Sequence, residues 1–328
     1  MWWLLLLLPA IAQAQSSFAG AAACQPCHPQ HYDRQIRSHH ARSLRRIGET
    51  DLVRRFTEAP LRERGGTEFS YEAVPGGIRA VARRGPDRAE ALLEWAFGAG
   101  SQGITPVGRI DGRYIEHRIS YYTRAGRPAR TVGHPGASSP DARSALGMVQ
   151  SPETIARCFS CHATNVQPGP DLAAMHSGVQ CERCHGPASA HVERPGSAKL
   201  LNAGRLPAKA SVQVCGECHR APAPGAASHM PEVDDPVSIR FQPIGLMASR
   251  CFEQSGKLTC LTCHDPHEDA RPRSDRFYAT QCLSCHASSS KRAQRCRRQT
   301  QQDCLPCHMQ SSSPLPYLTF TDHRIRVH

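Results

Sequence analysis

The chain has 328 residues, 16 of them cysteine, with 39% hydrophobic and only 6% aromatic side chains and a formal charge of +12. Its length allows two or three domains, but the apolar content is thin for one large conventional core. The 25 Gly and 26 Pro point to many turns, and together these figures exclude a transmembrane transporter, a coiled coil and an ordinary doubly wound enzyme.

The N-terminus sets the compartment. Residues 2–12 are an apolar run centred on Leu4 to Leu8 and followed by Ala12-Gln13-Ala14, a short hydrophobic region with an A-x-A cleavage site. The run is too short to span a bilayer, and no later stretch reaches about 18 apolar residues. Residues 1–14 read as a signal peptide cleaved near Ala14, and the protein as exported, periplasmic or secreted. Its first residues carry no Lys or Arg.

Residues 15–60 form a first segment with a helix running through Tyr32, Ile36 and Leu44. Residues 61–140 read as a small β-rich insert. Phe69 to Val74 and Ile78 to Arg83 flank Pro75-Gly76-Gly77 as a hairpin, and Asp111-Gly112 turns between Ile104–Ile110 and Tyr114–Tyr122. In that last strand Ile115, His117, Ile119 and Tyr121 share one face, opposite Glu116, Arg118 and Ser120. Residues 141–328 are a separate region of short helices and irregular links such as Ala221-Pro-Ala-Pro-Gly-Ala. Ser151-Pro152 reads as an N-cap with Pro at N1, and Ser211 as the cap of a second helix.

Fourteen cysteines fall into seven copies of C-x-x-C-H: Cys24-Cys27-His28, Cys158-Cys161-His162, Cys181-Cys184-His185, Cys215-Cys218-His219, Cys260-Cys263-His264, Cys282-Cys285-His286 and Cys304-Cys307-His308. This is the attachment motif of c-type haem. Two thiols form thioethers with the porphyrin, and the adjacent His supplies one axial bond to iron. Structural zinc, a redox dithiol or a disulfide scaffold explains C-x-x-C pairs, but none requires a His after the second Cys. Seven covalent haems c follow, six of them in residues 141–328. The fold class expected is a mainly α and irregular multihaem cytochrome with a haem-stacked core and a small inserted antiparallel sheet.

Three stretches carry a further likeness: Gly178-Val-Gln-Cys-Glu-Arg-Cys-His-Gly-Pro-Ala-Ser-Ala-His191, Leu258-Thr-Cys-Leu-Thr-Cys-His-Asp-Pro-His267, and Cys304-Leu-Pro-Cys-His-Met309 followed by Phe320-Thr-Asp-His323. On these the chain resembles the exported multihaem c-type cytochromes with doubled motifs, related to the nitrification tetrahaem cytochrome and the pentahaem nitrite reductases. The resemblance implies His191, His267 and His323 as sixth ligands, and His40 on the helix after the first motif, with His39 as its fallback. His176, just before the third motif, is a further candidate. His191 and His267 sit three to six residues beyond a motif His, and a three-residue link spans only about 10 Å. Each therefore reaches a neighbouring haem rather than its own. His31 has the same spacing without the family surroundings, and His117 and His134 are weaker candidates. His229 and His328 read as surface residues, and Met247 as packing.

Cys251 and Cys296 remain, and an exported chain pairs such thiols in a disulfide. The charge also needs correcting for cofactor. A ferric haem counts about −1 and a ferrous one about −2, so seven shift +12 to roughly +5 and −2. Nucleic-acid binding is not expected, and the Arg-rich basic set suits pairing with propionates.

The functional reading is an electron carrier between a quinol-side donor and a terminal acceptor in an exported respiratory chain. The alternatives are a reductase with one open haem acting on a small nitrogen or sulfur oxyanion, with Arg118, His117 and Tyr121 as candidates over its distal face, or a haem-wire subunit of an oligomer or membrane complex.

Overall fold

The chain between Leu44 and Val149 folds into one ten-stranded antiparallel sheet. In this computed structural model residues 16–58, 61–63, 65–136, 138–167, 172, 174–196, 198–220, 235–269, 274–287 and 304–327 are described. The leader, His229, Cys296 with its expected disulfide, and His328 lie outside them.

The strands are β1 (Leu44–Arg46), β2 (Leu61–Arg62), β3 (Glu68–Val74), β4 (Gly77–Arg84), β5 (Asp87–Phe97), β6 (Gly103–Ile110), β7 (Arg113–His117), β8 (Ile119–Tyr122), β9 (Arg127–Arg130) and β10 (Gly147–Val149). Their main path runs β10-β7-β6-β5-β4-β3-β2, while β1 pairs with β5 and the β8–β9 hairpin returns onto β6. Turn chemistry drives the meander. Val74 faces Gly77 across Pro75-Gly76, and Ile110 faces Arg113 across Asp111 and Gly112, both at positive φ, the pair that a type I′ turn demands. A register shift between Leu93 and Trp95 bends β5, as bulges do, and the sheet curls.

The curl encloses a core of Ile47, Leu52, Phe56, Phe69, Ile78, Leu93, Ile115 and Leu146, all at most 2% exposed. This overturns the expected fold class. The protein is not a mainly helical and irregular cytochrome with a small inserted sheet, because the sheet is large and has a conventional hydrophobic core. The alternation that reveals half-buried strands fades where both faces are covered. All four residues of β8 are buried, and Arg118 just before it is enclosed as well, so Arg118 and Ser120 are as buried as His117 and Tyr121. Residue 118 also interrupts the strand, separating β7 from β8.

A second cluster of Leu44, Trp95, Phe97, Val107, Ile155 and Phe159 joins the sheet to the helix Pro152–His162. That helix begins as expected, with Ser151 Oγ accepting the Thr154 N–H and Pro152 at its first position. Two other expectations change. The first helix is Pro29–Gln35, and Leu44 opens β1 instead of extending it. The helix Ala208–His219 is capped at Pro207, so Ser211 lies inside it, its N–H bonded to Pro207. Near the C-terminus a hairpin of Ser311–Leu315 and Leu318–Thr321 docks on the sheet, with Gln102 Nε2 donating to Thr319 O at 2.6 Å and Tyr317 against Tyr122 at 4.9 Å.

Candidate functional site

The motifs share one local design: each sits at or beside a short helix or 3-10 turn. Cys24 closes the turn Ala21–Cys24 and His28 caps Pro29–Gln35. The second and fourth motifs fill the last turns of Pro152–His162 and Ala208–His219, and the sixth ends Asp275–His286. The third is the helix Cys181–His185, the fifth lies on the turn Cys260–Thr262 with a Thr259/Thr262 capping box, and the seventh on Leu305–His308. One helical turn sets the two thiols and the imidazole on neighbouring positions, which is what one macrocycle requires of them.

Tertiary packing then sets motif against motif. Cys24 lies against Cys181, Cys161 against Cys218, Cys215 against Cys260, and Cys282 against Cys304. As free thiols these respond to one another. Burial and then Cys181 push Cys24 up to about 11, while a hydrogen bond from Cys218 holds Cys161 down and the same contact pushes Cys218 up. Among the described residues no group of three or more His, Cys, Asp and Glu is gathered to hold a metal ion directly.

Three ring pairs stand out among the histidines. His219 of the fourth motif faces His40 with ring centres 6.1 Å apart. His185 of the third faces His267 at 6.2 Å with the planes within 9°, and His264 of the fifth faces His323 at 6.3 Å. Two imidazoles that bind one iron from opposite faces stand about 6 Å apart between centres. Each contributes a bond of roughly 2.0 Å and a further ~1.1 Å from nitrogen to ring centre. The residues present fit a bis-histidine haem at all three motifs.

Proton positions agree with that fit. The Nδ1–H donates to a backbone carbonyl in His40 (Pro266, 3.2 Å), His162 (Ser43, 3.0 Å), His185 (Leu201, 2.7 Å), His191 (Ala198, 2.9 Å), His308 (Arg326, 3.0 Å) and His323 (Thr321, 2.9 Å). His267 donates instead to the Asp265 carboxylate at 2.9 Å. Each keeps Nε2 as its lone-pair nitrogen, the state an axial ligand needs. Burial also holds His162, His219, His267 and His323 below the ordinary histidine value and so neutral.

The chain builds these juxtapositions with close backbone contacts. Gly178, at φ +78, lies so near Ala41 that a Cβ would meet its carbonyl at 1.9 Å. That contact, with Val179 N–H donating to His40 O, clamps the hairpin bearing His176 onto the segment bearing His40. Gly245 likewise lets residues 323–324 cross the helix Gln242–Met247, where a Cβ would stand 2.7 Å from Arg324 N. Ser249 Oγ then donates to His323 O and accepts the Ile325 N–H. Neither glycine was singled out from the sequence, although each follows directly from a backbone approach.

The other candidates lie elsewhere. His176 pairs with Thr164 across a short hairpin and lines a cavity of about 490 Å³ with Gly20, Ala21, Tyr32 and Ile36 beside the first motif. The helix of His191 is tied to residues 16 and 17 just ahead of that motif. His31 rests on His267 at 4.6 Å, and His39 meets Asp269 at 3.3 Å.

The residues considered for a distal face, and His134 considered as a ligand, are held within or against the sheet instead. His117 Nδ1 donates to Leu146 O at 2.5 Å and its Nε2 accepts from Tyr71 at 3.0 Å, leaving no nitrogen for iron. Arg118 pairs with Glu63 at 2.8 Å, Tyr121 bonds Arg55, and His134 pairs with Glu116 at 3.2 Å.

Residues 128–186, which hold the second and third motifs, match the family described as cytochrome c554 and c-prime. The fold is similar to the crystal structure of the outer cell wall cytochrome OcwA, with a TM-score of 0.53 at 15% identity over 94% of this chain and 79% of that one. These findings support a multihaem c-type cytochrome. An undecaheme cytochrome from the S-layer of Carboxydothermus ferrireducens also matches, with a TM-score of 0.44 and 14% identity over 86% of this chain and 44% of that one. No curated protein sequence matches.

Proposed function

We propose that the chain is an exported heptahaem c-type cytochrome that passes electrons along closely packed haems between a quinol-side donor and a terminal acceptor in a respiratory chain. The three facing imidazole pairs carry this reading, because two protein ligands on an iron make a carrier and not a substrate site. The seven cysteine pairs hold the groups as thioethers, and His28, His162, His185, His219, His264, His286 and His308 are the first axial ligands. His40 serves the fourth motif, His267 the third and His323 the fifth, with His176 and His191 beside the first. Each haem when bound supplies one-electron exchange at its iron. The chain fixes the ligand rings through their Nδ1 donors and brings the motifs together in pairs.

No helix among the described residues is long and apolar enough to cross a membrane. Export is supported by the leader pattern and by the outer-cell-wall source of OcwA.

One observation favours a second reading. Among the described residues the ring that meets His162 is that of Phe97, at 5.1 Å. An open second haem would suit a reductase for a small nitrogen or sulfur oxyanion. Low-temperature EPR of the oxidised holoprotein, calibrated by a pyridine haemochrome count, tests both. Seven low-spin haems are expected, and one stoichiometric high-spin haem in intact protein selects the reductase.

A further inference from the structure

We propose that Asp265 lowers the reduction potential of the haem on the third motif by holding its distal ligand, His267, on a carboxylate. The proposal rests on the ligation of His267 described above and adds a residue that tunes it.

Asp265 lies two residues before His267 and is pinned from three directions. Its Oδ1 accepts both the His267 backbone N–H at 3.0 Å and the His267 Nδ1–H at 2.9 Å. Its Oδ2 accepts from Arg34 at 3.1 Å, and Arg34 also stands 3.9 Å from Glu268. The loop is fixed further along to the segment that follows the first helix, where Arg42 pairs with Asp269 at 3.4 Å and His40 bonds Pro266 O.

An imidazole that donates to a carboxylate is more basic than one that donates to a peptide carbonyl, and it pushes more electron density onto its metal. That stabilises the more positive iron and disfavours reduction. Six other candidate ligands, including His40 and His323, donate to neutral carbonyls. Arg34 draws on the same carboxylate from its far oxygen and weakens its hold on His267. Asp265 and Arg34 therefore act on one iron with opposite signs.

The test is a redox titration of the holoprotein, followed by absorbance and EPR, for Asp265→Asn, Arg34→Gln and His267→Gln. Asn keeps an oxygen for the Nδ1–H and removes the charge. Asp265→Asn should raise one one-electron midpoint by about 59 mV, a tenfold change in the reduction equilibrium. Arg34→Gln should lower the same midpoint by less, and the remaining haems should stay put. Should both variants keep every midpoint while haem count and low-spin signals match wild type, the tuning role is wrong. The same holds should all midpoints move together. His267→Gln separates the two layers: one new high-spin haem upholds the ligation, and none overturns it together with the tuning.

Discussion

The sheet region and the motif region solve the problem of an interior differently. Between Leu44 and Leu146 the chain buries large apolar side chains in the ordinary way, among them Phe56, Leu93, Ile115 and Leu146 at 0–1% exposure. Beyond Ala163 the buried apolar residues among those described are few: Val179, Ala188, Val212, Phe241, Ile244, Leu246 and Ala279. Six of the seven motifs lie from Cys158 onward. Apolar burial stabilises at roughly 25 cal/mol per Å², so the second region lacks most of the material that holds the first. The porphyrins proposed there are what would complete it.

Withholding haem is the harshest way to break this comparison. Chain made without haem attachment should lose its structure across residues 150–328 while the sheet persists. Hydrogen exchange read by mass spectrometry should show protected amides in β3 to β7 and full exchange in the motif helices. Equal protection in both regions would remove the contrast.

Leu93→Ala probes the other half. This side chain is fully buried, and the cavity should cost about 2–5 kcal/mol. The sheet should melt earlier, with the haem absorbance of the folded protein unchanged before the transition.

His117 gives the sheet a pH signature of its own. Complete burial lowers its pKa from 6.5 to about 4, so the unfolded chain takes up a proton that the native state excludes. Stability should be flat above pH 6.5, fall by about 3 kcal/mol at most as pH drops toward 4, and level off below. Thermal unfolding across that range, compared with His117→Phe, should show the wild-type slope and a flatter one in the variant. The exposed pair Arg54–Glu58, with side chains 63% and 59% exposed, sets the floor. Arg54→Ala should shift stability by under about 0.5 kcal/mol, which a denaturant titration would read as no change.

Legibility follows distance along the chain. The C-x-x-C-H units, the Ser151 cap, and the turns at Gly76 and Asp111-Gly112 are written in a few adjacent residues. β5 was not legible, because its residues are covered on both faces toward its C-terminal end and carry no clean period of two. The hydrophobic core was underestimated for a related reason, since composition averages a rich sheet with a poor motif region. Cys251 and its expected partner Cys296 mark another limit, since one of them lies outside the described residues.

By itself the sequence determined the cofactor chemistry, because covalent haem attachment needs two thiols and an imidazole within one helical turn. It also determined the turn positions, where only Gly, or a residue such as Asp, readily accepts a positive φ. Tertiary structure alone decided which histidine meets which. His40 meets His219, His267 meets His185 and His323 meets His264 across long stretches of chain, with the close approach at Gly178 beside His40, the Asp265–Arg34 contact beside His267 and the crossing at Gly245 beside His323. Such pairings depend on backbone approach across more than a hundred residues in the case of His40, and no local spacing encodes that.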